Sequence, residues 1–377
     1  GDLINILSGD VNWGDIDPGV SLQSQNTAQV AVNPNVINGT VVSLSLHISG
    51  DDGYNRTETL SFEIGEVSVG DPLGPDEYGY YIYDSGDTAY DLAPDYNWIE
   101  IDPGYGGSGS PFNFYDPGNG DWGWENENPP VSTVSLPFTF QFYGIEYNSI
   151  SVCSNGWLSF GESDMGSFRN YPIPGAGGPP AMVAAFWDDL VTDEGGGGDA
   201  FIYNDPNDEY VVVEWSDMRT ENNSSIERFE VILYNNASLP HGDGDIKIQY
   251  KTFNNTSSGE WNSYPPKHGS YSTIGIENHL GDVGLQYTFD NSYPEAAMTL
   301  SNNDAIFITT QPSVAQTSTT ITNVYQEGWN MVGLGASVDD NSLESVFPDG
   351  LNGTFYSYDN TYIPETTVEM GKGYWLR

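Results

Sequence analysis

The stretch LPFTFQFYGIEYNSISVCSNGWLSFG at residues 136–161 decides the fold. Its segments are rich in aromatic and β-branched residues and are separated by turns that contain Gly and Asn, which is typical of short strands. Similar segments recur through residues 131–310, about nine in all. No segment of useful length has a helical period, and only AMVAAFWDD at 181–189 is ambiguous. We therefore predict an all-β protein of tandem β-sandwich modules with Greek-key or immunoglobulin-like character.

Working outward, the N-terminal part of the chain shows the same strand periodicity. TVVSLSLHI at 40–48 alternates apolar residues with Ser and His. After a turn at 50–53, ETLSFEIG places Leu60, Phe62 and Ile64 on one face. The pattern predicts a hairpin with one apolar face, belonging to a sandwich.

Composition shifts divide the chain into modules. We predict a partial immunoglobulin-like sandwich at 1–66 and a second sandwich at 67–310, which opens with a turn-rich Asp/Gly/Tyr segment at 67–130. Residues 311–320 are a linker, and 321–377 form a small C-terminal β module that looks incomplete. In this last module we predict a short helix at 342–346, with Ser342 as N-cap and Pro348 as its stop.

The chain is strongly acidic. Its 377 residues include 54 Asp and Glu but only 9 Lys and Arg, a net charge of −45. Such a surface repels nucleic acid and anionic membranes, so we expect neither as a partner, and no apolar run predicts membrane insertion. Self-repulsion must be offset by salt or by bound cations. The single cysteine excludes an intrachain disulfide framework.

Acidic residues cluster in Gly- and Pro-rich loops, where carboxylates and backbone carbonyls together could coordinate calcium. We expect calcium as the cofactor. None of these loops matches the EF-hand pattern, and the same residues could serve only as turn formers or as a salt-adapted surface. The candidate metal ligands are Asp10, Asp15, Asp17, Asp71, Asp76, Asp84, Asp87, Asp188, Asp189 and Asp193.

No catalytic residues are predicted. Cys153 lies in a strand-like segment, and the four histidines have neither zinc spacing nor a supporting nucleophile motif. Asp188 and Asp189 could in principle form a glycosidase pair, but a turn or a cation site explains them better. We expect the chain not to be an enzyme.

Residues 131–310 resemble the nidogen-like extracellular domain of animal and bacterial cell-surface proteins. The resemblance rests on LPFTFQFYG, SNGWLSFG, PPAMVAAFWDDL, EYVVVEWSDM, RFEVILY and STIGIEN. Residues 15–65 resemble the last half of an immunoglobulin-like repeat that follows gingipain-type peptidase domains. The C-terminal EGWNMVGL…GKGYWLR resembles a small module of surface proteins exported by the type IX pathway.

These resemblances imply the non-catalytic C-terminal region of a large secreted bacterial surface protein. Both flanking modules depart from their patterns, and a longer protein, trimming or completion by neighbouring subunits would each account for this. We expect an extracellular structural or adhesive protein, such as a filament subunit or a cell-surface stalk, that pairs with itself or with other extracellular proteins through sheet edges. The alternatives are an accessory region of a secreted cysteine peptidase and a carbohydrate-binding module.

Overall fold

The structure is a computed structural model, and it describes residues 4–33, 36–51, 53–116, 118, 130–166, 168–192, 198–235, 242–258, 270–312, 328–333, 341–348, 350–351, 353–358, 361–368 and 372–377. The chain divides into two compact units, Gly1–Thr317 and Ser318–Arg377. The described elements are almost all antiparallel strands, so the prediction of an all-β fold is confirmed.

Two separate two-stranded sheets lie at the start of the first unit. One pairs β1 (Ile4–Ser8) with β2 (Gln29–Val32), and the other pairs β3 (Thr40–Ser49) with β4 (Asn55–Ile64). In the second, Val42 lies opposite Phe62 and Leu44 opposite Leu60, so the predicted hairpin and its apolar face are present. Leu60 remains half-exposed.

Two larger sheets form the body of the first unit. Their strands, in chain order, are β5 (Tyr81–Asp84), β6 (Ser110–Pro111), β7 (Val131–Phe142), β8 (Ile145–Cys153), β9 (Trp157–Phe160), β10 (Met182–Trp187), β11 (Leu190–Val191), β12 (Asp199–Asn204), β13 (Tyr210–Thr220), β14 (Ile226–Tyr234), β15 (Ile246–Thr252), β16 (Thr273–Glu277), β17 (Gly284–Thr288) and β18 (Asp304–Thr309).

The six-stranded sheet has the order β17-β16-β10-β9-β8-β7. The other runs β5-β18-β15-β14-β13-β12-β6, with β11 paired to β13. Alternate residues of both sheets enter one shared core, for example Phe140 and Val152 from the first and Val231 and Ile248 from the second. The two sheets therefore form a sandwich, as the period-two pattern requires.

Both outer faces of the sandwich are covered in part by connecting chain. Tyr171 and Ile173 pack over the six-stranded sheet against Trp157, Trp187 and Cys153. Cys153 is fully buried in this apolar cluster, as expected for a structural residue.

The turn-rich segment that begins at residue 67 is more ordered than its composition predicts. Residues Tyr81–Asp84 form an edge strand against β18, and Pro103–Tyr105 form a short 3₁₀ helix capped by Asp102. The expectation that this segment consists of turns is wrong at β5. The strand forms there because it pairs with β18, which lies more than two hundred residues later in the chain. Local sequence carries no signal for such a pairing.

The described residues of the second unit form a four-stranded sheet and one helical turn. Its strands are β19 (Asn330–Gly333), β20 (Tyr356–Tyr358), β21 (Tyr362–Pro364) and β22 (Gly373–Leu376), in the order β19-β22-β20-β21. The helix α1 (Leu343–Val346) begins after Ser342, whose hydroxyl accepts a hydrogen bond from the Ser345 amide. The helix and its N-cap are where the sequence predicts them.

Candidate functional site

A buried polar row crosses the outer face of the eight-stranded sheet. Glu214 on β13 lies directly opposite Glu230 on β14, which lies opposite Gln249 on β15. All three side chains are fully buried. Two carboxyl groups opposite each other on neighbouring strands repel if both are charged, so the row needs compensation from its surroundings.

The Asp/Gly/Tyr-rich segment supplies that compensation with its main chain. Gln249 and Asn97 exchange two hydrogen bonds, at 2.5 Å from the Asn97 amide and 2.8 Å to the Asn97 carbonyl. The Ile99 amide donates to Glu230 at 3.1 Å, and the Ile101 amide donates to Glu214 at 3.1 Å. The row therefore fastens an irregular segment, strand by strand, to the sheet.

Arg228 completes the charge balance around Glu214. Its Nη2 lies 2.7 Å from carboxylate oxygens of both Glu214 and Glu100, and its guanidinium stacks 3.9 Å from the ring centre of Tyr105. Lys251 holds the other oxygen of Glu100 at 2.9 Å. A buried cation shared by two acids favours their charged forms, but at Glu214 burial outweighs this effect and raises the pKa of the carboxyl.

Among the residues that the structure describes, none places such a cation at hydrogen-bond distance from Glu230. Gln249 donates to its Oε1 at 2.6 Å, and its Oε2 has no hydrogen-bond partner among the described residues. Burial, with a smaller contribution from the neighbouring Glu214 charge, raises the pKa of Glu230 to about 8. The side chain therefore tends to be neutral at physiological pH.

Three of the predicted metal ligands converge at β5 and the turn after it. Asp84 and Asp87 are both buried, and the Asp84 amide donates to Asp87 Oδ2 at 2.8 Å. Asp87 Oδ1 has no hydrogen-bond partner among the described residues. Burial and the nearby charge of Asp84 raise the pKa of Asp87 to about 8. Asp71 is the third, and its charge also bears on Asp87.

Asp71 differs from the other two because its hydrogen bonds outweigh the cost of its burial. Tyr90 donates to it at 2.6 Å, and Ser68 donates through both its amide and its hydroxyl. Burial opposes the charged form, but these bonds and one from Asn38 outweigh it and lower the pKa of Asp71. The cluster therefore combines one charged carboxylate with two whose charge burial disfavours, since the pKa of Asp84 is also raised.

Asp188 belongs to a different cluster, at the end of β10. It is fully buried and accepts a bond from the Asp189 amide at 2.8 Å. Burial raises its pKa well above the usual range, and Glu227 is the charged neighbour. Glu227 accepts main-chain bonds from Asn254 and Asn255, and burial raises its pKa to about 7.

The remaining predicted ligands are scattered. Asp10, Asp15 and Asp17 are exposed in the N-terminal part of the chain. Asp76 shapes a turn by accepting three amide bonds from residues 78–80, and Asp189 is half-buried beside Asp188. Asp193 lies outside the described residues. In the described part of the chain, no three His, Cys, Asp or Glu side chains are arranged to hold a metal ion.

The site geometry thus defines a class of protein: an antiparallel β-sandwich whose buried carboxyl groups bind main-chain amides of long connecting segments. The family model described as NIDO related, that is nidogen related, matches residues 115–322. This covers more than half of the 377 residues, and the chain belongs to that family. The match indicates an extracellular domain.

The other comparisons add nothing to this assignment. No curated protein and no solved structure matches the chain. Among the described residues, no helix is long and apolar enough to span a membrane.

Sequence reasoning missed the row formed by Glu214, Glu230 and Gln249. A signal for it was present: EYVVVEWSDM places Glu214, and RFEVILY places Glu230, inside a strand whose neighbouring residues are largely apolar. A polar residue inside a strand buried on both faces must be satisfied, so it points to a covering segment.

Proposed function

We propose that the chain is a non-enzymatic, secreted structural or adhesive protein of a bacterial cell surface, stiffened by calcium. This proposal is supported by the structural role of the buried acids. Those of the row between β13 and β15 accept main-chain hydrogen bonds and fasten connecting chain to a sheet. Such an arrangement supports a rigid module that acts through its surfaces.

Calcium is proposed to bind at Asp87, on which the charges of Asp84 and Asp71 bear. These three carboxyl groups are not by themselves arranged to hold a metal ion, so main-chain oxygens and water would complete the coordination. The unpartnered Oδ1 of Asp87 and the charges of Asp84 and Asp71 that bear on it favour a cation there, since a bound cation would stabilise the charged form of Asp87. A ligand that binds the fold but not the unfolded chain raises the free energy of unfolding by RT ln(1 + L/Kd), where L is the free ligand concentration, so the effect increases with that concentration.

The test is thermal unfolding of the full chain after chelation, with and without added CaCl2 at pH 7.5. We expect calcium to raise the melting temperature by at least about 2 °C. Asp87→Asn should reduce this increment, whereas Glu63→Gln, which changes an exposed acid on β4, should leave it intact. Equal melting curves with and without calcium would remove the metal from the proposal.

Self-association through sheet edges is the proposed route to assembly. The sheets of the sandwich end in β7 and β17 and in β5 and β6, and the β3–β4 hairpin is a separate two-stranded sheet. Exposed strand edges can pair with strands of another chain. Sedimentation velocity and electron microscopy of the full chain test this, and a strictly monomeric protein at high concentration contradicts it.

The type IX context and the relation to gingipain-type peptidases are part of the same proposal. They rest on the flanking resemblances in the sequence. The reading frame upstream of Gly1 decides between a surface stalk and the accessory region of a peptidase, because the latter requires a Cys/His catalytic domain there.

A further inference from the structure

The second unit carries an aromatic surface that neither the sandwich nor the proposed calcium site explains. One face of its four-stranded sheet forms the small core. Val332, Tyr374 and Leu376 are buried there with Phe355 and Val368, and α1 packs against them. The other face has no cover among the described residues of this unit.

Strand register places large side chains together on that uncovered face. Met331 and Tyr356 both lie opposite Trp375, and Tyr358 lies opposite Tyr362. Residues directly opposite each other on antiparallel strands point to the same side. Most of these side chains are solvent-exposed: Met331 by 67%, Tyr358 by 64% and Tyr362 by 60%.

The rings enclose a groove. Trp329, Tyr356, Tyr362 and Trp375 line a cavity of about 460 Å³. The Trp329 and Tyr356 ring centres are 6.1 Å apart at 48°, and those of Tyr356 and Tyr362 are 6.3 Å apart at 77°. Tilted rings form walls rather than one flat patch. Trp329, 52% exposed, presents much of its surface to water. An exposed aromatic groove of this kind is a binding feature.

The charge and the aromatic character of the lining residues indicate which class of ligand the groove binds. The four lining residues that the structure describes are uncharged, and the net charge of −45 repels anionic ligands. A stable protein interface needs roughly 20–30 residues a side, more than these strands offer. A sugar ring has an apolar C–H face that fits an aromatic ring and hydroxyls that reach water or Tyr and Trp donors.

We propose that this groove binds a neutral oligosaccharide, with pyranose rings stacked on Trp329 and the neighbouring rings. The binding is independent of calcium and of assembly through sheet edges. A negative result for this groove would therefore not contradict the proposed function, and the reverse also holds. The site lies on the small C-terminal unit, outside residues 115–322 that match the family.

The experiment is isothermal titration of the full chain with cellohexaose, laminarihexaose and mannohexaose, in chelator and then in calcium. We expect at least one hexaose to bind with a dissociation constant of about 1 mM or tighter, equally in both buffers. Trp329→Ala and Tyr362→Ala should each weaken binding at least about tenfold, which corresponds to about 1.4 kcal/mol. Trp329→Phe, which keeps a ring, should retain most of it.

Tyr54→Ala is the matched control, since Tyr54 is a similarly exposed aromatic, at 54%, beside the β3–β4 turn. It should leave the affinity unchanged. Near-ultraviolet circular dichroism shows whether each variant keeps its fold. If Trp329→Ala does not fold, the affinities of Trp329→Phe and Tyr362→Ala are compared instead. Absence of binding to all three hexaoses, or binding that survives both alanine changes, overturns the inference. Self-association abolished by Trp329→Ala overturns it in favour of a second copy.

Discussion

Gly156 shows how a single residue determines the turn at the centre of the 136–161 stretch. Its φ is +77°, and an added Cβ would lie 1.9 Å from the Phe186 carbonyl oxygen. The Gly156 carbonyl also accepts hydrogen bonds from the amides of Ala185 and Phe186. Only glycine permits this close approach of the β8–β9 turn to β10.

Gly156→Ala is therefore expected to destabilise the chain by about 2–5 kcal/mol, from the left-handed backbone and the steric overlap together. Gly106→Ala is the control, because Gly106 has a φ of +95° but an added Cβ would meet nothing within 4 Å. It should cost about 1–2 kcal/mol from backbone strain alone. Urea unfolding of both variants measures the difference, and equal losses would contradict the steric argument.

At the scale of an element, the row formed by Glu214, Glu230 and Gln249 determines how the segment before the 3₁₀ helix lies on the sheet. Each strand contributes one side chain, and the segment runs across them with its amides turned inward. Because Glu230 is buried without a cation at hydrogen-bond distance, its charged form destabilises the fold.

Glu230→Gln should accordingly raise the free energy of unfolding at pH 8 and change it little at pH 5, where the native carboxyl is protonated. The substituted amide keeps an acceptor for Ile99 and cannot ionise. Chemical denaturation at the two pH values tests this, with Glu63→Gln as an exposed control on β4. A loss of stability at pH 8 would show that the charged form is the native one.

Local sequence predicts single strands, hairpins and helix caps, but not the pairing of segments that lie far apart in the chain. Alternation of apolar residues predicted the sandwich strands and the β3–β4 hairpin, and Ser342 marked the N-cap of α1. The edge strand β5 was missed because its pairing with β18 depends on a segment far along the chain. The Glu residues of the buried row were visible in the sequence, but the segment that covers them lies more than a hundred residues earlier in the chain, so local sequence did not identify it.

At the scale of the whole molecule, buried acids make stability depend on pH in an unusual direction. Burial raises the pKa of Asp87 and Glu230 to about 8 and of Glu227 and Glu277 to about 7. Each therefore keeps its proton in the fold at pH values where the unfolded chain has lost it. The unfolded state binds fewer protons between about pH 4 and pH 8, so stability falls as pH rises through that range.

We expect the free energy of unfolding, measured by urea denaturation in chelator, to be larger at pH 5 than at pH 8. Each such group contributes at most about 1.4 kcal/mol per pH unit. Calcium should reduce the difference if it binds the Asp84 and Asp87 cluster, because a cation stabilises their charged forms. A stability maximum near pH 8 in chelator would contradict the assignment of neutral buried acids.

The sequence by itself determined the all-β class, the antiparallel strands and the nidogen-like region, because strand periodicity and turn residues are local properties. Only the tertiary structure decided which acids are buried: Asp84, Asp87 and Asp188 are, while Asp10, Asp15 and Asp17 are exposed. In sequence all six look like turn residues. Burial, and with it the energy of a charge, depends on which distant segment covers each turn.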